Sequence, residues 1–108
     1  MTDDILDRLQ ATIASRRGAP EAKGASYTAQ LFARGRSRIA QKLGEEAIET
    51  VIAACGDDPA KIVPEAADLL YHLLVLLADA GLTLEDVRAE LERREGTGGL
   101  AEKAARTL

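Results

Sequence analysis

Two short runs of the chain hold most of the side chains that could do chemistry. In the first, Lys42, Glu45, Glu46 and Glu49 are spaced so that, at about 100° per residue, they fall within an arc of roughly 100° on a helix, opposite its apolar stripe. On an arbitrary helix such a face is solvated surface with a Lys42 to Glu46 pair at i, i+4. The second run changes that expectation. Glu65, Asp68, His72 and Asp79 crowd into a strip roughly 60° wide, while Leu69, Leu70, Tyr71, Leu73, Leu74, Val75, Leu76 and Leu77 spread around the rest of the same helix. A helix so apolar must be buried on nearly every side. Ionised carboxylates facing a bundle interior are costly unless paired or bound to a cation.

The acidic face of the first run is the natural neighbour, because a short connection makes the two helices antiparallel partners. Glu45, Glu46, Glu49, Glu65 and Asp68 are then expected around one cleft. Five carboxylates repel one another without a counter-ion, and an all-oxygen ligand set selects a hard cation such as magnesium or manganese. No aspartate-rich loop of EF-hand spacing exists, which disfavours calcium. Magnesium held by a few carboxylates keeps positions open for water and substrate phosphates, so the cleft suits phosphate chemistry. Arg34, Arg36 and Arg38 lie just before the first run and Lys42 one turn inside it, placed to meet a polyphosphate's outer oxygens. Read singly, each arginine is ordinary surface. His72 is expected to make a structural hydrogen bond rather than to catalyse, and Cys55 to be a small core residue.

The elements that must position these groups are helical. Ile5, Leu6, Leu9 and Ile13 mark a helix over 3–17, with Thr2 placed to cap it and Gly18 beyond. Residues 18–26, rich in Gly, Ala and Pro, read as a loop, and a short helix is expected between Ser26 and Gly35. Ile39, Leu43, Ala47, Ile48, Val51 and Ile52 recur at helical period from about Ser37 to Cys55, and Gly56-Asp57-Asp58-Pro59 closes that segment. A third long helix runs from about Pro59 or Ala60 to Ala80, with Pro64 tolerated near its start. Thr83-Leu84-Glu85-Asp86 resembles a capping box and opens a helix to about Arg94. No segment alternates at period two, which argues against a sheet. The fold expected is all-α: an antiparallel bundle of four to five helices over 1–95, with 96–108 a mobile tail.

A chain of 108 residues has little core to spare. Too few elements are available to wrap the apolar helix, so a second copy is expected to cover it in a symmetric homodimer. The formal net charge of -4 provides no basic field for a nucleic acid. The longest apolar run, Leu73 to Ala78, is far too short to cross a bilayer, and the N-terminus lacks a signal-peptide core. With a single cysteine, these features suit a reducing, cytoplasmic setting with neither nucleic acid nor membrane as partner.

Three blocks resemble the phosphoribosyl-ATP pyrophosphohydrolases of histidine biosynthesis, over about residues 5–94. They are Ser26-Tyr27-Thr28 followed by Leu31, Lys42-Leu43-Gly44-Glu45-Glu46-Ala47-Ile48-Glu49, and Glu65-Ala66-Ala67-Asp68-Leu69-Leu70-Tyr71-His72 with the apolar run that follows. The paired glutamates and the later E-x-x-D are shared with the wider group of all-helical nucleoside-triphosphate pyrophosphohydrolases. The Ser26-Tyr27-Thr28 segment and the Glu65-to-His72 block taken whole look specific to the histidine-pathway branch.

The resemblance implies magnesium-dependent cleavage of phosphoribosyl-ATP between its α and β phosphates, the second step of histidine biosynthesis. By the match, Glu46, Glu49, Glu65 and Asp68 would be metal ligands, and Glu45 would complete the shell or orient the attacking water. Lys42 would neutralise charge on the departing pyrophosphate. Ser26, Tyr27, Thr28, Arg34, Arg36 and Arg38 would contact the ribose phosphate or adenine. Two other readings stand beside it: a housecleaning enzyme acting on other nucleoside triphosphates, and a non-catalytic helical dimerisation module.

Overall fold

The computed structural model of the chain describes residues 3–18 and 26–106. Among these, six α-helices and no strand occur: α1 (Ile5–Arg16), α2 (Tyr27–Arg34), α3 (Arg36–Ala54), α4 (Ile62–Asp79), α5 (Leu84–Arg93) and α6 (Gly99–Arg106). The all-α expectation holds, with one helix more than the four to five expected. Thr2 and most of the 18–26 loop lie outside the described residues.

Helix ends follow local chemistry. Asp4 opens α1, its carboxylate accepting the Asp7 N–H while Asp7 accepts the Asp4 N–H, a reciprocal box two residues inside the start read from apolar spacing. Ser26 caps α2 by accepting the Ala29 N–H at 3.1 Å. Gly35, at φ 93°, turns the chain directly from α2 into α3, a left-handed conformation that glycine adopts without strain. A 3₁₀ turn over Pro59–Lys61, capped by Asp58, leads into α4. Pro64 falls in the first turn of α4, where its missing N–H removes no intrahelical bond. The carboxylate of Asp86 accepts the Thr83 N–H at 2.9 Å and starts α5.

The most extensive packing is between α3 and α4. Arg36, at the start of α3, bonds Asp79, at the end of α4, while Glu49 and Glu65 meet near the connecting loop, so the two run antiparallel. The core is Ile13, Leu31, Ile39, Leu74 and Val75, drawn from α1 to α4, with Leu6, Leu9, Phe32, Tyr71, Leu76 and Leu77 against it. It sits at the end of the hairpin where α3 begins and α4 finishes. The other end reaches beyond α1 and α2: Ile48, Val51 and Ile52 on α3 and Val63 on α4 are each more than half exposed. Cys55, expected in the core, is exposed, because α3 ends there outside the cover of the other helices. Within 96–108, where a mobile tail was expected, Ala101, Glu102, Lys103, Ala104 and Ala105 are strong helix formers and build most of α6.

Candidate active site

Helical periodicity puts Glu46 and Glu49 on the α4-facing side of α3, and the antiparallel register brings Glu65 opposite them. One carboxylate oxygen from each of the three lies within 4.8 Å of the others. Burial, and then the charges of Glu49, Asp68 and Glu46, push the Glu65 carboxyl above its ordinary range. A hard divalent cation would relieve that repulsion, and three carboxylates are a donor set that suits one. Asp68, one turn further along α4, is near enough to act on Glu65 but stands outside the three-carboxylate cluster. A cleft of about 610 Å³ opens beside the acids, lined by Glu49, Glu65, the connecting residues Asp57, Asp58 and Lys61, and the apolar Ile52.

Glu45 faces a different way. Rotated about 100° from Glu46, it accepts from Gln41 at 3.0 Å and pairs with Lys42 at 3.2 Å and Arg38 at 3.8 Å. These contacts, Lys42 first and Gln41 next, hold its carboxyl below the ordinary range. The Lys42 ammonium lies 3.8 Å from Glu46 as well, and its bond to Glu45 raises its pKa against the opposing effect of desolvation. Lys42 thus sits between the acid cluster and a second, smaller pocket of about 120 Å³ lined by Tyr27, Gln30, Leu31, Arg34, Arg38 and Lys42.

The remaining sequence candidates are engaged in the fold. Ser26 caps α2 and accepts from Arg16 at 3.1 Å. Thr28 is buried, its hydroxyl in a short hydrogen bond with the Tyr71 hydroxyl. Arg36 is turned away from the cleft to Asp79, which it bonds at 2.6 Å, while Arg17 donates to the Ala78 and Asp79 carbonyls, so two guanidinium groups close the C-terminus of α4. His72 is buried and doubly bonded. Its Nδ1 lies 2.8 Å from the Asp68 carbonyl, which can only accept, so Nδ1 donates and Nε2, 3.0 Å from the Tyr27 hydroxyl, accepts. That arrangement is the structural hydrogen bond expected of it.

The family model for phosphoribosyl-ATP pyrophosphohydrolase matches residues 6–95. The chain belongs to the phosphoribosyl-ATP pyrophosphohydrolase family. It is 63% identical over 101 residues to the phosphoribosyl-ATP pyrophosphatase of Rhizorhabdus wittichii, covering 94% of this chain and 93% of that one. Similarity of the same kind extends to the enzymes of that name from Rhodospirillum rubrum, at 57% identity over 95% of this chain and 86% of that one, and Azospirillum brasilense, at 59% over 94% and 90%. Membership makes the chain an enzyme, a hydrolase of a phosphoric anhydride bond, and not merely a helical dimerisation module. Both the acid cluster and the cationic pocket lie inside the matched region.

Two polar residues that periodicity alone did not single out stand in this family member's clefts. Gln30 shares a face of α2 with Tyr27 and Arg34, at i+3 and i+7, so helical spacing from Tyr27 could have found it. Among the described residues Lys61 is the one cation lining the larger cleft, and it lies in a turn whose direction no periodicity reveals.

Proposed function

We propose that the chain hydrolyses phosphoribosyl-ATP to phosphoribosyl-AMP and pyrophosphate, the second step of histidine biosynthesis, with magnesium, or manganese in its place, as the metal. The observation that carries this reading is the convergence of Glu46, Glu49 and Glu65 on one point beside a nucleotide-sized cleft, in a chain of this family. Glu46, Glu49 and Glu65 would hold the metal, with Asp68 at its edge. When bound, the ion supplies Lewis-acid polarisation of phosphate oxygens and activation of water.

Lys42, a third of the way into α3 and partly shielded from solvent, neutralises charge on the departing pyrophosphate. Glu45 holds Lys42 and Arg38 in place. Tyr27, Arg34 and Arg38 contact the substrate, whereas Ser26, Thr28 and Arg36 act through the fold that presents them. His72 fixes the Tyr27 ring, whose centroid stands 5.9 Å from its own in an edge-on arrangement. A second copy of the chain covers the exposed apolar residues of α3 and α4, and the enzyme works in the cytoplasm without nucleic-acid or membrane partners. Among the described residues no single helix is long and apolar enough to cross a membrane.

Pyrophosphate release from phosphoribosyl-ATP, measured with and without magnesium, tests the assignment. Release is expected only with the metal, and Glu49→Gln is expected to lower it at least roughly 100-fold, the scale of losing a preorganised charge contact in a transition state. Equal or faster turnover of a panel of ordinary deoxynucleoside triphosphates would favour the housecleaning reading instead.

A further inference from the structure

Among the described residues the smaller pocket is lined mostly by side chains with N–H donors. Tyr27, Gln30 and Arg34 come from one face of α2, and Arg38 and Lys42 from successive turns of α3, with Leu31 the only apolar member and no carboxylate among them. Its volume, about 120 Å³, is roughly four water volumes, room for one phosphate group rather than a chain of them. Arg16, Arg17, Arg36 and Arg88 are all occupied by other parts of the fold, whereas Arg34 forms no ion pair among the described residues and Arg38 only the 3.8 Å contact to Glu45. α3 also opens without a side-chain cap, so its first-turn N–H groups add positive potential at the same end.

Position decides which phosphate fits. Along α3, Arg38 stands eight residues before Glu46 and eleven before Glu49, roughly 12 and 16 Å at 1.5 Å per residue. Three linked phosphates are shorter than that. An anhydride held at Glu46, Glu49 and Glu65 therefore leaves Arg34 and Arg38 to a second, separate anionic group of the same molecule.

We propose that Gln30, Arg34 and Arg38, in the pocket that Tyr27 and Lys42 complete, bind the ribosyl phosphate monoester of the substrate, and so distinguish phosphoribosyl-ATP from ATP. This rests on the substrate assignment above. Discrimination by such a pocket rests on two guanidinium groups that pair with the monoester of phosphoribosyl-ATP and meet no anion there when ATP is bound.

Calorimetric titration of the whole protein with ribose 5-phosphate, in the presence of a chelator, tests the pocket without any turnover. Saturable binding is expected, weakened roughly tenfold or more by Arg34→Ala and by Arg38→Ala, the scale of one charge-assisted hydrogen bond, and partly restored by the lysine variants. In the magnesium-loaded enzyme ribose 5-phosphate is expected to compete with phosphoribosyl-ATP, and the same two alanine variants to raise KM more than they lower kcat. Circular dichroism checks their folding, and Gln30→Ala, which removes one amide from an exposed helix face, serves if either arginine variant unfolds. No binding of ribose 5-phosphate, binding indifferent to these changes, or a loss of pyrophosphate binding in its place would overturn the proposal. Wild-type turnover of phosphoribosyl-ATP alongside such a result would leave the substrate assignment standing.

Discussion

At the scale of single residues, Glu65 concentrates the tension in the cleft. Its carboxyl is pushed up by burial and by three neighbouring acids, so in the metal-free protein it opposes the fold that holds it. Glu65→Gln should therefore raise the melting temperature of the chelator-treated protein. The same change should weaken magnesium binding by more than the roughly 10- to 100-fold lost with an outer-shell partner. A variant that lowered the melting temperature of the metal-free protein while binding magnesium normally would show that Glu65 has no ligand role. Thr28 represents the opposite case, a polar side chain taken up by packing. Thr28→Val keeps the shape and removes the hydroxyl that meets Tyr71, and should lower unfolding free energy by about 1 to 2 kcal/mol in urea titration. The three clustered glutamates were legible in the sequence because a helix repeats every 3.6 residues and the partner helix follows after a short loop. The roles of Ser26, Thr28 and Arg36 were not, since each is set by docking onto α1 or α4, which no local spacing encodes.

At the scale of elements, helix existence followed from periodicity while helix ends and docking followed from side-chain contacts visible only in three dimensions. The capping pair at Thr83 and Asp86 could be read directly. The one at Asp4 and Asp7 could not, because Thr2, Asp3 and Asp4 are all good caps and position alone does not rank them. Asp7 has a second task. Arg88 on α5 bonds it at 3.0 Å and also reaches Asp4 and Glu85, tying α5 to the start of α1. Arg88, then the backbone N–H of Asp4, holds the Asp7 carboxyl below its ordinary 3.8. Within α5, Arg93 and Arg94 draw the Glu90 carboxyl from 4.5 down to about 2. Both groups bind protons more weakly folded than unfolded, so their contribution is present at neutral pH and is lost as pH falls from about 4.5 toward 2. Urea unfolding followed across that range should show stability falling with acid. Asp7→Asn should flatten the lower part of the slope and leave the part due to Glu90. Identical slopes for the two proteins would remove Arg88 and Asp7 from any part in α1–α5 attachment.

The whole molecule presents more surface than a self-contained chain of its size. Its accessible area is 7388 Å², against about 5,800 Å² for a compact monomer of 11.5 kDa. Its radius of gyration is 16.2 Å, where a closed domain of this length has about 13 Å. The excess area of one chain, about 1,600 Å², is about twice the roughly 800 Å² that each partner gives to a standard interface, and α6 contributes to it. Half of the exposed large apolar side chains, Ile48, Val51 and Ile52 on α3 and Val63 and Leu70 on α4, lie on the hairpin that carries the acids, while Ile5, Tyr27, Leu82, Leu91 and Leu100 are spread over the other elements. Of the apolar α4 residues from which a homodimer was expected, Leu70 alone is exposed; the uncovered face is drawn mainly from α3, and Ile52 lies both in that face and in the cleft. Covering the hairpin with a second copy would therefore bury the apolar face and narrow the cleft together. Light scattering should find a particle of twice the chain mass, and Val51→Glu, which places a charge in the middle of the face, should give a monomer that keeps its helical circular dichroism but releases little pyrophosphate. If the wild-type chain sediments at 11.5 kDa at the concentrations where it is fully active, the exposed face has another purpose and the cleft is complete within one chain.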